Sequence, residues 1–448
     1  MKNIAFLGAS GEVTGSSYLL TLGNDEQILI DLGMFQGGED LSELNYHPLK
    51  FNPAKLKAVF LTHAHLDHCG RLPLLIFGGY FGKIYMTAPT KELVEVILND
   101  SAKVMSEDFS KKPIYTFDEV EKVLALIEIV EYDKPLQVSG VEAVFRDAGH
   151  ILGSASIQLK DLTDSQTMVF SGDLGNFPED IVRPTAMIDE AQIVVMECTY
   201  GDKEHRQEDV SATLQDEINI IEKNGGVLLI PAFSLERTQE LLHRLHHLKK
   251  DGKIRADTPV FMDSPMAIKA TVIFRDFKNF YNDEVKSHTD DPFSFEGLVL
   301  TEDARDSKEI IKTMDPKVII AGSGMISGGR ITHHAINYLP DPTTRILFVG
   351  YQAEDTVGKQ VLEGAKQVRI NKVQVHVKAH VTEVQSLSSH ADQPKLLVWL
   401  GHIKDVKKVF LIHGDTKQRE LFAEKVKAQF HYDVTLPKLE ENLPLSTK

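Results

Sequence analysis

The sequence predicts an α/β protein in which one sheet domain is interrupted by a second, inserted α/β unit. Three observations carry this reading. Short, continuous β-branched runs stop at Asp, Glu or His, often beside Gly, as strands buried on both faces do when their carboxyl ends carry the chemistry. The middle of the chain alternates strand and helix patterns, as a parallel sheet requires. The chemically active residues lie before position 200 and after 380, on both sides of that stretch, which makes the middle unit an insertion. Length agrees, because 448 residues exceed the usual size of a single core. The boundaries drawn are 1–202 for the first part of the outer domain, 203–372 for the insert and 373–448 for the returning part.

Taken in order, Ile28-Leu29-Ile30 ends at Asp31, and Val59-Phe60-Leu61 runs into Thr62-His63-Ala64-His65-Leu66-Asp67-His68. That last stretch packs three imidazoles and a carboxylate into six positions. On a strand, residues two apart share a face, so His63 and His65 can point at one ion while the following turn swings Asp67 and His68 toward a different point. The geometry suits two metals. A helical H-E-x-x-H zinc motif needs its histidines four apart and is excluded. A lone His here would be a polar surface turn, but so many imidazoles rarely collect without ligation to do. Downstream, His150 sits in the Gly-rich turn Asp147-Ala148-Gly149-His150-Ile151-Leu152-Gly153-Ser154. Met168-Val169-Phe170 leads through Ser171-Gly172 to Asp173, Ile193-Val194-Val195-Met196 ends at Glu197, and Val409-Phe410-Leu411-Ile412 ends at His413-Gly414. Any one of these could be a cap or a turn; together they supply the donors for two ions, with others left for proton transfer.

In the insert, Val227-Leu228-Leu229-Ile230-Pro231, Val260-Phe261-Met262-Asp263, Val318-Ile319-Ile320-Ala321 and Ile346-Leu347-Phe348-Val349 alternate with helical patterns over 211–224 and 235–248. His243, His246 and His247 fall in the second of these and read as its exposed face. The loop Gly322-Ser323-Gly324-Met325-Ile326-Ser327-Gly328-Gly329 follows a strand and precedes Arg330 and a helical stretch. Such a loop can present backbone N–H groups to a phosphate, although it lacks the Lys-Ser/Thr of a nucleotide P-loop. Arg237, Arg330 and Lys359 could assist, while each taken singly reads as a solvated charge.

Composition narrows the partners. Lys plus Arg total 49 against 65 for Asp plus Glu, a net charge of −16, which argues against coating duplex DNA by bulk attraction and leaves room only for a local basic groove. Cys69 and Cys198 are the only cysteines, too few for a disulfide scaffold and consistent with a reducing, cytoplasmic setting. Cys69 reads as a buried thiol, not a ligand. No apolar run approaches membrane-spanning length, and no signal peptide is expected.

These residues resemble a known family. Glu12-Val13-Thr14-Gly15-Ser16, the Asp31 motif, the HAHLDH element, Gly149-His150, Ser171-Gly172-Asp173, Glu197-Cys198-Thr199-Tyr200-Gly201-Asp202, Pro231-Ala232-Phe233, Asp263-Ser264-Pro265, Gly324-Met325-Ile326-Ser327-Gly328-Gly329, Ser389-His390-Ala391-Asp392 and His413-Gly414 occur in an order similar to the β-CASP branch of the metallo-β-lactamase superfamily. That branch contains nucleases like the endonuclease subunit of the messenger-RNA 3′-end cleavage machinery and its bacterial and archaeal relatives. The HxHxDH element alone identifies only the broad hydrolase superfamily; the Glu197, His390 and His413 motifs around a Gly-rich insert are more specific. The resemblance implies a metallo-β-lactamase αβ/βα sandwich with an inserted β-CASP domain containing a parallel sheet.

Carried over by position, it implies that His63, His65 and His150 hold one zinc, that Asp67, His68 and His413 hold the other, and that Asp173 bridges them. Asp31 would orient a ligand or the bridging water, and His390, held charged by Glu197, would protonate the leaving 3′ oxygen. Ser323, Gly324, Gly328, Gly329 and Arg330 would grip the RNA backbone, with single-stranded RNA lying between the two domains; a homodimer is compatible with the chain. The reading is a zinc-dependent ribonuclease of RNA processing or decay, because a His at the position of His413 goes with RNA in this family. A small-molecule ester, thioester or lactone hydrolase would leave the insert and the Glu197 and His390 pair without a task, and a non-catalytic RNA-binding subunit does not need the full donor set. Cys198, His380, Ser388 and Asp415 depart from commoner residues at their positions and touch substrate preference more than chemistry.

Overall fold

The computed structural model describes residues 1–176, 180–206, 208–350, 352–353, 355–384 and 386–445. Its contacts group the chain into two compact units: Met1–Glu204 with His390–Lys448, and His205–Ser389.

The first unit contains two seven-stranded sheets. One runs in the order Glu441–Pro444, Asn3–Phe6, Tyr18–Thr21, Gln27–Ile30, Leu56–Phe60, Lys83–Thr87 and Ile127–Val130; the other Asp433–Thr435, Lys408–Ile412, Ile193–Glu197, Thr167–Phe170, Ala155–Asp161, Val141–Asp147 and Leu136–Val138. Their inner faces bury Phe6, Ile28, Ile30 and Phe60 against Phe145, Ile157, Phe170, Val195 and Phe410 in one shared core. Ring centroids lie 6.0 Å apart for Phe60 and Phe145 and 5.1 Å for Phe6 and Phe410, ordinary contact distances for tilted aromatic pairs across a sandwich. Helices cover the outer faces. Ala88–Glu107 starts at Thr87, whose Oγ1 accepts the N–H of Thr90, and buries Leu93, Val94, Ile97 and Leu98. On the opposite side Trp399, Leu400, Phe422 and Val426, from helices Gln393–His402 and Thr416–Phe430, pack on Val194, Val409 and Leu411. The result is the expected αβ/βα sandwich, and it explains why these strands are apolar on both faces.

Register decides where the chemistry emerges. Parallel pairing sets Ile30 beside Phe60, Phe170 beside Val195, and Glu197 beside Ile412. Asp31, the HAHLDH segment, Asp173, Glu197 and His413 therefore leave their sheets at carboxyl ends that are level within each sheet. One detail differs from the sequence reading: the strand stops at Phe60, so His63 and His65 lie in an extended connection, and Leu66–Cys69 forms a single helical turn.

The second unit is a six-stranded, wholly parallel sheet in the order Leu298–Leu300, Val260–Asp263, Lys317–Ala321, Val227–Pro231, Arg345–Phe348 and His380–Glu383. The boundary expected at 372/373 shifts here. Val373–His376 pairs with Gln367–Ile370, and His380–Glu383 completes the inserted sheet beside Arg345–Phe348, so the chain returns to the first unit only at His390. The helix expected over 235–248 spans Arg237–Lys250, because Glu236 sits at φ +61° and cannot join it. Its histidines are not an exposed face. His243, His246 and His247 are half-buried, burial holds His243 down to about 3, and His246 contacts the Ser294 carbonyl at 2.8 Å.

A buried carboxylate ties this unit together. Asp263 accepts from Ser307 Oγ at 2.6 Å and His334 Nε2 at 2.7 Å, both buried, and from half-buried Arg330 at 2.6 Å. Removing one partner of a buried ionic group typically costs about 3–5 kcal/mol. Asp263→Ala is expected to destabilise residues 205–389 by about that much, seen as faster native-state hydrogen exchange confined to that unit; unchanged exchange would show the network to be dispensable.

Candidate metal centre

Three groups of donor atoms meet at the level strand ends of the first unit. His63, His65, His150 and Asp173 form one, Asp67, His68 and His413 a second, and Asp173, Glu197 and His390 a third, with donor atoms inside each group no more than 4.8 Å apart. In the first, His65 Nδ1 lies 3.1 Å from His63 Nε2 and 3.2 Å from His150 Nε2, and Asp173 Oδ2 lies 3.4 and 3.6 Å from those two Nε2 atoms. Ligands held at zinc-like bond lengths around a tetrahedral ion sit about 3.3 Å from one another, so this spacing fits a single cation. In the second, His413 Nε2 is 3.3 Å from Asp67 Oδ2 and His68 Nε2 is 3.9 Å from it. The other oxygen of Asp173, Oδ1, faces this group at 3.3 Å from His68 Nε2 and 3.8 Å from His413 Nε2. Oδ1 is buried without a hydrogen bond. A buried carboxylate oxygen left open among imidazole nitrogens is suited to a cation, and the donor chemistry of both groups fits a divalent ion.

Hydrogen bonds behind the rings decide which nitrogen faces the site. Asp31 Oδ2 takes His68 Nδ1 at 2.8 Å and the Thr62 hydroxyl at 2.8 Å, while Oδ1 accepts the Thr62 N–H at 2.8 Å. Having given its only proton to Asp31, Thr62 Oγ1 can only accept from His63 Nδ1, 3.0 Å away. Nδ1 is thereby protonated in both rings, and Nε2 is the nitrogen that each turns to the site. Thr199 does the same for His413: its hydroxyl lies 3.2 Å from the His413 carbonyl oxygen and 3.0 Å from Nδ1. Asp31 and His413 both adopt left-handed backbone, at φ +57° and +47°, and keep it because their N–H groups are tied to Phe60 and Ala9 carbonyls at 2.9 and 2.8 Å.

Electrostatics agree. Burial, with His68 nearby, lowers His63 to about 3, and burial also lowers His65 to about 4 and His150 well below its ordinary value. All three are neutral near pH 7, the form that ligates. Burial would raise Asp173, but the surrounding imidazoles of His413, His68 and His63 hold it well below the usual carboxylate range. His68 is the exception: burial opposes its charged form, but Asp173 and Asp31 overcome it and raise it well above its ordinary value, so its Nε2 must give up a proton to ligate.

His390 is placed separately. Its segment pairs with the turn after Asp173: Gly175 and His390 form a bridge, and the Ala391 N–H reaches the Leu174 carbonyl at 2.8 Å. Its Nδ1 lies 3.2 Å from both oxygens of Glu197, which is fully buried and also accepts the Leu174 N–H at 2.6 Å. The His390 side chain keeps 21% of its surface exposed, enough to meet a substrate. Burial disfavours its charged form, yet Glu197 and then Asp173 outweigh that and raise it to about 9.

Comparison with known proteins gives these sites a family. Residues 10–202 match the family described as Metallo-beta-lactamase superfamily, 238–361 the Beta-Casp domain, and 374–437 the Zn-dependent metallo-hydrolase RNA specificity domain. The chain is 37% identical to Ribonuclease TTHA0252 of Thermus thermophilus over 99% of its own length and 100% of that protein. The chain belongs to the β-CASP branch of the metallo-β-lactamase superfamily. It is a metal-dependent hydrolase. It is also 29% identical to the RNase J-like protein of Methanocaldococcus jannaschii, covering 89% of each, and 28% identical to Transcription termination factor FttA of the same organism, over 97% of this chain and 70% of that one. Among solved structures, a protein of unknown function from Enterococcus faecalis V583 shares the fold at TM-score 0.56 and 12% identity, with 99% of this chain and 100% of that one covered.

The glycine loop of this β-CASP hydrolase departs from the expectation at two residues, Arg330 and Ser323. Arg330 does not reach outward: besides Asp263 it donates to the Thr301 carbonyl at 2.7 Å and to that of Glu302, so its guanidinium anchors the helix Gly329–Tyr338 and is not a free phosphate clamp. Arg237 is buried against Glu240 and donates to Ser389 Oγ at 2.8 Å, so it is not a solvated charge either. Lys359 is half-buried and pairs with Glu363 at 3.1 Å. The loop itself is tightly packed. A Cβ on Gly324 would meet the Phe233 ring at 2.9 Å, and one on Gly329, at φ +68°, would meet the Gly322 carbonyl at 2.3 Å, whereas Gly328 faces open space. The Ser323 N–H and Oγ are turned inward, to the Gly328 carbonyl at 3.2 Å and the Ser327 N–H at 3.1 Å.

Thr62 and Thr199 are functional positions that the sequence reading passed over. The available signal was adjacency: one precedes His63 directly and the other stands two residues after Glu197. Loss of a group that orients a metal-binding His typically weakens metal affinity about 10- to 100-fold. Asp31→Ala is therefore expected to weaken divalent-metal binding by about that factor in competition against a chromophoric chelator, and unchanged affinity would remove Asp31 from this role.

Proposed function

We propose that this protein is a zinc-dependent ribonuclease that hydrolyses RNA phosphodiester bonds at a dinuclear centre, with His390 as general acid. The observation that carries the reading is Asp173, which turns Oδ2 to one set of imidazoles and Oδ1 to the other while His390 stands 4.0 Å from Oδ2. His63, His65 and His150 would hold one ion, Asp67, His68 and His413 the other, and Asp173 both. Bound there, divalent ions lower the pKa of water and offset charge on the phosphate oxygens. The chain's own residues do the rest. Asp31, Thr62 and Thr199 keep imidazole lone pairs aimed at the site. Glu197 holds His390 protonated through Nδ1 and leaves the proton on Nε2 for the departing 3′ oxygen.

RNA as the substrate is supported by the relatives, which include proteins named ribonuclease and RNase J-like, and by the match to an RNA specificity domain. For the backbone of single-stranded RNA we assign the glycines of the loop, Gly324, Gly328 and Gly329, where the helix Gly329–Tyr338 begins without a side-chain cap, and not Ser323, whose N–H and hydroxyl are used within the loop. No helix of the described residues is long and apolar enough to cross a membrane, and two buried free cysteines suit work in the reducing cytoplasm.

Two measurements test the assignment. His390→Ala is expected to keep its metal content while single-turnover RNA cleavage falls by about 10²- to 10⁴-fold, the usual contribution of general acid catalysis; wild-type cleavage by this variant would refute the proton-donor role. Asp173→Ala is expected to lose ions from both groups by elemental analysis. Retention of two zincs per chain would show that the groups are filled independently.

A further inference from the structure

We propose that the first unit carries a second, non-catalytic binding site, a cavity that takes a small oxyanion between Arg71 and Ser17. The cavity measures about 30 Å³, which is room for about two water-sized groups. Arg71 lines it and is only 6% exposed. Its Nε donates to the Gly33 carbonyl and its guanidinium carbon lies 4.5 Å from the centre of the Phe35 ring, but among the described residues its terminal nitrogens reach no acceptor. A guanidinium offers five donors, and here only one is used.

Burial strips such a cation of part of its hydration, which an anion in the cavity would replace. Among the described residues no carboxylate compensates it. Burial by itself accounts for the lowering of Arg71 to about 10, with no acidic neighbour contributing. The one acid on the cavity wall, Glu440, is already paired at 3.0 Å with Lys50 at the same opening. Ser17 supplies a second, independent sign: it is fully buried, its Oγ has no hydrogen-bond partner, and it lines the same space. Exposed His47 joins Lys50 at the mouth. In a chain with net charge −16, donors gathered around an acid-poor cavity select an anion. Carboxylate and phosphate-type groups share the required chemistry, oxygen atoms that accept both from the guanidinium fork and from a hydroxyl.

The site backs onto the catalytic segments. Leu32, which lines it, follows Asp31 and donates its N–H to the His68 carbonyl at 2.9 Å; Ser16, beside Ser17, donates to the Asp67 carbonyl at 2.9 Å. It uses none of the metal donors, so it stands whether or not the protein cleaves RNA.

The test uses zinc-loaded protein with selenate and acetate as tetrahedral and planar probes. Crystals grown with selenate are expected to show an anomalous selenium peak within hydrogen-bond distance of the Arg71 terminal nitrogens and Ser17 Oγ, or crystals grown with acetate its planar density there. The thermal transition should rise saturably with the anion that binds. Ser17→Ala, which deletes only an unpartnered hydroxyl, should weaken the apparent affinity about tenfold, the loss of one hydrogen bond to a charged group, and Arg71→Lys should abolish the saturable rise. Water alone in the cavity with both probes, a selenium peak confined to the metal centre without acetate in the cavity, or an equal rise in wild type and Ser17→Ala would each overturn the proposal.

Discussion

The whole site depends on the control of imidazole tautomers. Five histidines and two aspartates crowd the two donor groups, and a ring presented with its N–H inward would both repel a cation and waste a ligand. Thr62 shows how economically the protein prevents this. One hydroxyl proton, committed to Asp31, forces the same oxygen to accept from His63, so a single carboxylate sets the orientation of His63 and His68 together. The arrangement works only because Asp31 is held in a left-handed conformation by the sheet beneath it.

The sandwich makes that control affordable in structural terms. Seven-stranded sheets on either side of a shared aromatic and aliphatic core end at the same level, so the connections leaving them meet without long loops. Asp173 and Glu197 come from neighbouring parallel strands, Met168 beside Ile193 in register, which sets the two carboxylates side by side. His390 then arrives from the distant return segment by pairing with Gly175. His390 and the two donor groups thus share a backbone framework, and Thr199 joins them: its N–H donates to Glu197 Oε2 at 3.3 Å while its hydroxyl lies 3.0 Å from His413 Nδ1.

Much of this was legible in the amino-acid order. The abrupt ends of Ile28-Leu29-Ile30, Met168-Val169-Phe170 and Val409-Phe410-Leu411-Ile412 announced buried strands with polar termini, and the spacing within HAHLDH separated His63 and His65 from Asp67 and His68, which the structure places in different donor groups. Less legible were residues whose role lies in their partners. Arg330 and Arg237 read as free charges and are buried or tied to Asp263 and Glu240. The His243, His246 and His247 run read as solvent-facing and is half-buried. The end of the insert was misplaced because His380-Val381-Thr382-Glu383 carries no pattern of its own that says which sheet it will join.

Sequence alone determined the chemistry, since residue types and their local spacing limit which ions and proton transfers are available, and strand patterns limit where they can emerge. Tertiary structure alone decided the geometry. Which oxygen of Asp173 faces which imidazoles, which ring nitrogen turns to the site, and that Arg71 meets no acid among the described residues are consequences of contacts between residues tens to hundreds of positions apart. Local patterns carry no information about such contacts, because hydrogen bonds and ion pairs are formed in space and the chain encodes them only through the fold as a whole.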